Sequence, residues 1–185
     1  MISWTVVSHM RQMRRARDER GMTLIELAVV IAVMGTLLSI AIAAVFRARM
    51  AANEGSALAG LRTINTAQFQ YQSSCGAGLY AESLLVLGTK PSGEAEAFLN
   101  GALGDEISPT RSGYVFTLGM GQGGAPGTDD CNGTPTISRY YASAAPASAQ
   151  TGNRSFATNQ AGTLWEDLNP VPPTEPFGPP AQLAK

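Results

Sequence analysis

Residues 20–46 read RGMTLIELAVVIAVMGTLLSIAIAAVF, and their reading decides the fold. From Met22 to Phe46 the only ionisable side chain is Glu26. As a helix this run is long enough to cross a hydrocarbon layer of roughly 30 Å. A core helix of the same length in a soluble domain would carry a polar stripe, and none is visible here. The run starts late. Residues 1–21 are polar and basic, with Arg11, Arg14, Arg15, Arg17 and Arg20 set against only Asp18 and Glu19. An arginine excess on this side predicts an N-terminus held in the cytoplasm and a remainder that lies outside. A secretory signal has a shorter apolar core and a small-residue cleavage site after it, so this is not one.

Beyond Phe46 the helical pattern continues with a different character. Leu58, Leu61, Ile64, Gln68 and Tyr71 recur at three- and four-residue steps, while Arg47, Asn53, Glu54, Arg62 and Gln70 fall largely elsewhere. That is one amphipathic stripe in need of a surface. Gly55 and Gly60 weaken a helix by about 1 kcal/mol each relative to Ala, so bending is expected near them. Residues 79–88 (LYAESLLVLG) read as a short helix. Residues 91–107 read as a loop with a helical turn within GEAEAFLNGAL. Residues 112–119 and 137–144 carry strand signals, and 153–166 read as a hairpin. The proline-rich stretch NPVPPTEPFGPP (169–180) is expected to be extended or disordered. The predicted fold class is therefore α+β, with one long N-terminal helix packed on a small antiparallel sheet of four short strands. The expected organisation is a leader (1–21), a membrane and assembly helix (22–46), an amphipathic half-helix (47–74), a globular head (75–168) and a tail (169–185).

The residues Gly21-Met22-Thr23-Leu24-Ile25-Glu26-Leu27 closely resemble the signal motif of type IV prepilins and type II secretion pseudopilins. The resemblance covers roughly residues 20–71. It implies a pilin-like fold and a cut between Gly21 and Met22 by a prepilin peptidase, which then methylates the new amine of Met22. It also implies an assembly role for Glu26. The partners implied are other copies of the chain in a helical filament, the peptidase and methyltransferase, and pilus or secretion assembly machinery. The location implied is the inner membrane, crossed once, and then a periplasmic or extracellular filament. Family members mostly start the mature chain with phenylalanine, where Met22 stands here, and many carry proline at the position of Ala43.

Elementary chemistry leads the same way. Glycine fits a narrow protease subsite. The cut frees a cationic amine four residues before Glu26, so amine and acid project from one helix face. A lone carboxylate at the centre of a bilayer costs on the order of 2.5–3.5 kcal/mol, less near its edge. In a dry helix bundle it needs a cation, and the amine of a neighbouring helix is the one at hand; such a pair rewards correct register. Alternatively Glu26 reaches the headgroups. Gly35, Ser39, Ala41, Ala43 and Ala44 suit close helix approach in lipid, or are ordinary span composition.

Other signals point to fewer chemistries. Cys75 and Cys131 lie in the exported part, which favours a disulfide worth roughly 4 kcal/mol in the chain-entropy model; two free thiols, or a pair split between subunits, are the alternatives. Asp129, Asp130 and Asn132 in a glycine-rich loop offer calcium-type oxygen ligands without EF-hand spacing, and a plain solvated loop is the competing reading. Gly119, Gly121 and Gly124 match a phosphate-loop pattern by chance, because Pro126 and no helix follows. His9 is the only histidine and precedes the expected cut, and Lys90 and Lys185 are the only lysines. No Ser/His/Asp set, thiol/His pair or zinc cluster can then form in the mature chain, so no enzyme and no cofactor is expected. The formal net charge of −1 gives no general attraction to nucleic acid, and none is expected as a partner.

Two functions compete. One is a prepilin that polymerises into a type IV pilus or secretion pseudopilus. The other is a non-polymerising, single-pass anchor with an exported binding head.

Overall fold

A computed structural model describes residues 21–184. The expected leader lies outside the described residues except for Gly21. Contacts divide the chain into a unit ending at Ala41 and a unit beginning at Ile42.

Helix α1 runs from Leu24 to Ser74 and is continuous in assignment through Gly55, Gly60 and Ala43. Every residue from Gly21 to Arg49 is exposed, Leu24, Ile25, Leu37 and Ile40 among the most so. Among the described residues nothing covers this apolar stretch. From Leu24 to Phe46 it is about 34 Å long at 1.5 Å per residue, enough to span a bilayer.

The second half of α1 buries a stripe. Ala57, Leu58, Leu61, Ile64, Ala67, Gln68 and Tyr71 are buried, whereas Arg62, Thr63, Thr66, Phe69 and Gln70 face out. The stripe packs under an antiparallel sheet, as predicted. That sheet has six strands in the order β2-β3-β6-β7-β8-β9: β2 Thr110–Arg111, β3 Tyr114–Met120, β6 Tyr140–Pro146, β7 Ser155–Asn159, β8 Trp165–Asp167 and β9 Gln182–Leu183. A smaller sheet holds β1 Tyr80–Ala81, β5 Pro135–Ile137 and β4 Pro126–Asp129 in the order β1-β5-β4. Alternation along each strand sorts the two faces. Phe116, Leu118, Tyr140, Ala142, Ala144, Phe156 and Thr158 form the helix-facing side; the hydroxyl of Tyr140 donates to Asn65 of α1 at 2.8 Å, and Asn65 donates to Thr158 at 3.0 Å. Gln68 is held by both ends of its amide, donating to the carbonyl of Ala81 and accepting from its N–H, each at 2.9 Å.

Several expectations need correction. Residues 79–88 are not one helix: Tyr80 and Ala81 pair with β5, and α2 occupies only Leu84–Gly88. Ser83 sets that boundary, because its hydroxyl caps the amide of Val86 at 3.3 Å. The strand expected across 112–119 is a hairpin, β2 to β3, turning at Ser112 and Gly113, which have φ of 49° and 72°. Two consecutive positive φ values make the two-residue turn whose twist suits a hairpin. The expected strand at 137–144 is split between β5 and β6. Part of the loop read as solvated is the strand β4, an edge strand with every residue exposed and hence no alternation to read. The helical turn expected in 93–103 is a 3-10 turn at Gly101–Leu103. Residues 153–166 do form a hairpin, β7 to β8, with Ala157 opposite Trp165.

The largest correction concerns the tail. It is extended but not disordered. It crosses the outer face of the six-stranded sheet as a strap and adds β9 beside β8. Ser155 donates to the carbonyls of Asn169 and Val171, and Tyr141 to that of Pro173. Phe177 stacks on Trp165 with ring centres 5.4 Å apart. The strap explains why Ser155 and Ala157 are fully buried although they point away from α1.

Candidate functional site

The N-terminal motif sits at the start of α1. Thr23 precedes the helix, and its hydroxyl accepts the amide hydrogen of Glu26 at 3.2 Å. Glu26 reaches back, its Oε2 accepting from the N–H and the hydroxyl of Thr23 at 3.4 Å. Thr23 and Glu26 thus form a capping box, T-x-x-E, a local role for the acid beside the one that assembly would give it. An acid in the first turn also complements the helix dipole. Glu26 is exposed, as are Met22 and Gly21. A Cβ placed on Gly21 would meet nothing within 4 Å. Packing among the described residues therefore gives no reason for glycine there.

The other residues singled out by sequence lie in the second unit. Cys75 and Cys131 are joined by a disulfide, which ties the end of α1 to the turn after β4; the Cys131 N–H also donates to the carbonyl of Cys75 at 3.0 Å. Asp130 is buried beside it. Its Oδ1 accepts the N–H groups of Asn132 and Thr134, and its Oδ2 accepts the hydroxyl of Tyr71, all at 2.8 Å. Asn132 accepts from the amide of Ser92 at 2.9 Å. Asp129 is exposed on β4. The three calcium candidates are therefore not gathered as one ligand set: Asp130 and Asn132 close the turn and tie it to residue 92. Among the described residues no three His, Cys, Asp or Glu side chains converge as a metal site would require. Burial first, then the hydrogen bond to Asp130, raises the Tyr71 phenol well above its ordinary pKa.

One buried polar group departs from the sequence reading. Glu54, expected on the polar face of α1, is buried. Arg154 on the approach to β7 binds it with Nε at 2.9 Å and Nη2 at 2.7 Å, and reaches Glu166 of β8 with Nη1 at 2.9 Å. Glu54 also accepts from the backbone amides of Asn153 and Arg154. The hydrogen bond to Glu54 raises the already high pKa of Arg154. This fork pins the β7–β8 hairpin to α1, a hundred residues away in sequence, and no local signal announces it.

With this geometry in view, the comparisons are specific in one place. Residues 16–42 match the prokaryotic N-terminal methylation motif, the signature of type IV pilins and pseudopilins. The match covers the end of the expected leader, the expected cut, Glu26 and most of the apolar run. Together with the long helix and the antiparallel sheets, it gives a pilin-like fold behind a prepilin-type N-terminal motif. No curated protein and no solved structure matches the chain significantly.

Proposed function

We propose that the chain is a prepilin, a structural subunit rather than an enzyme, cut between Gly21 and Met22, N-methylated at Met22 and polymerised through α1. The observation that carries this reading is the methylation motif at the head of a helix whose apolar side chains are left exposed among the described residues. An anchor alone needs only the apolar side chains. It does not need Gly21, which no packing among the described residues demands; a peptidase subsite that admits no side chain would supply the demand. In this reading residues 1–21 stay in the cytoplasm, the helix crosses the inner membrane once, and the disulfide-bonded head is exported. The partners are other copies of the chain, the peptidase and methyltransferase, and the assembly machinery of a pilus or a secretion pseudopilus.

The capping box favours a second reading of Glu26. Its carboxylate already has donors within its own helix, so a single-pass anchor with an exported binding head would also keep it. Two measurements separate the readings. Intact mass and N-terminal fragmentation of membrane-extracted protein should give a chain beginning at N-methyl-Met22; a chain still starting at Met1 sinks the prepilin reading. Glu26→Gln then tests the charge. Glutamine serves a capping box as well as glutamate does, so the variant should be processed normally yet give few or no filaments in electron micrographs. Filaments at normal yield would mean that Glu26 acts as a cap and that no intersubunit charge pair is needed.

A further inference from the structure

The outer edge of the head carries a cleft of about 370 Å³ between the strap, the β7–β8 loop and the turn that follows β5. Its lining pairs an aromatic wall with a polar rim. Trp165 and Phe177 form the wall, half-buried and nearly parallel at 17° between ring planes. Gln122, Arg139, Asn159 and Glu175 stand on the rim. Tyr141 stacks against Phe177 with ring centres 6.2 Å apart, which holds that ring in place. We propose that this cleft binds a neutral pyranose, as a single sugar or as one unit of an oligosaccharide.

The rim is ordered before any ligand arrives. Glu175 accepts the backbone N–H of Gln122 at 2.6 Å and the side-chain amide of Asn159 at 2.5 Å, so the strap, β7 and the segment after β3 are locked around the opening. Arg139 is exposed, and its guanidinium makes a long contact of 3.5 Å with the carbonyl of Gln122. Its other four N–H groups meet no acceptor among the described residues. The rim offers one formal positive and one formal negative charge, Arg139 and Glu175, which gives neither an anion nor a cation an advantage. What remains is a set of donors and acceptors beside an apolar wall. A pyranose ring matches both: its C–H face lies on aromatic carbon, and its hydroxyls both donate and accept. Small ligand sites are built in this way, mostly from apolar wall with a few placed polar groups, and 370 Å³ falls within their size range.

This inference is independent of processing and filament formation, and its test is too. In a Trp4→Phe background Trp165 is the only tryptophan whether or not residues 1–21 are removed. The full chain, in a zwitterionic detergent free of sugar, is titrated with the methyl pyranosides of glucose, galactose and mannose, with glucuronate and glucosamine as charged controls. At least one neutral pyranoside should change Trp165 emission saturably. Arg139→Ala, which removes an exposed side chain, should weaken that response roughly fivefold, the worth of a lost hydrogen bond. Saturation transfer from protein to sugar protons should vanish in Trp165→Ala. No saturable response to any neutral pyranoside overturns the proposal. So does a response confined to the charged sugars, or one unchanged in Arg139→Ala. If Trp165→Ala loosens the strap by circular dichroism, the Arg139→Ala result decides.

Discussion

Two glycines of α1 show how different the demands on one residue type are. Gly60 lies under the sheet, where a Cβ would stand 2.7 Å from two ring carbons of Phe116. It is there so that the sheet can approach the helix backbone, not to bend it. Gly55 is exposed, with nothing within 4 Å of an added Cβ. The same substitution should therefore have opposite signs. Gly60→Ala forces Phe116 or the helix aside and should lower unfolding free energy by about 1–3 kcal/mol. Gly55→Ala should raise it by about 0.5–1 kcal/mol through helix propensity alone. Urea unfolding of the two variants checks both; a Gly60→Ala variant as stable as the parent chain, or more so, would refute the packing role of Gly60. Sequence showed two helix-weakening residues and nothing to tell them apart, because the difference is made by a phenylalanine 56 positions further along. Thr23 and Glu26 are the contrary case. Their three-residue spacing is a complete local signal, and the capping bonds need only the first turn of the helix to form.

Among the elements, α1 and the strap are opposites in legibility. The helix is long and strongly patterned, so the switch from all-apolar to striped at about Phe46 could be read directly. The strap has no period at all. Its proline content excludes helix and central strand but is silent on whether the chain docks. Docking is decided by what lies beneath: the Ser155 hydroxyl, the Tyr141 hydroxyl and the flat face of Trp165, each on the outer side of the sheet. Deleting residues 169–185 should lower the unfolding free energy of the head, because it removes the acceptors of the Ser155 and Tyr141 hydroxyls and the ring stacked on Trp165. It should also promote association through the uncovered edge of β8. Thermal melts and light scattering would report this. A truncated chain that melts like the full one and stays dispersed would show that the strap is passive. The missed strand β4 has the same origin as the missed strap: an exposed edge element carries no alternation.

At the scale of the molecule, the head stores several phenols in its interior. Burial holds the hydroxyls of Tyr71, Tyr114 and Tyr140 well above their ordinary pKa, and Tyr141 is shifted the same way. The sign of the consequence is fixed by linkage. Above about pH 10 an unfolded chain loses these protons while the folded one keeps them, so the unfolded state gains on the folded one as pH rises. Stability from these groups is whole below about pH 10 and falls above it, by about 1.4 kcal/mol per pH unit for each tyrosine. Since Lys90 and Lys185 are the only lysines, tyrosine should dominate the alkaline transition. Tyrosinate absorbance should appear together with loss of far-ultraviolet dichroism. Tyrosinate appearing while the fold persists would place the phenols in contact with water. The ionic fork of Arg154, Glu54 and Glu166 works at the same scale, since it joins α1 to both strands of the hairpin.

By itself the sequence determined the features carried by a long period or a short motif. These include the start and length of the apolar run, the motif around Gly21 and Glu26, the buried stripe on α1 and the α+β class. Each of these follows from hydrophobic period or from the spacing of a short motif, and local geometry alone gives such spacing its meaning. Only the tertiary structure decided which strands pair, that Gly60 is a contact and Gly55 is not, that Glu54 is buried, and that the tail is a strap forming one wall of a cleft. In each of those cases the partner is remote in sequence, so the deciding energy belongs to a surface that exists only once the chain has folded.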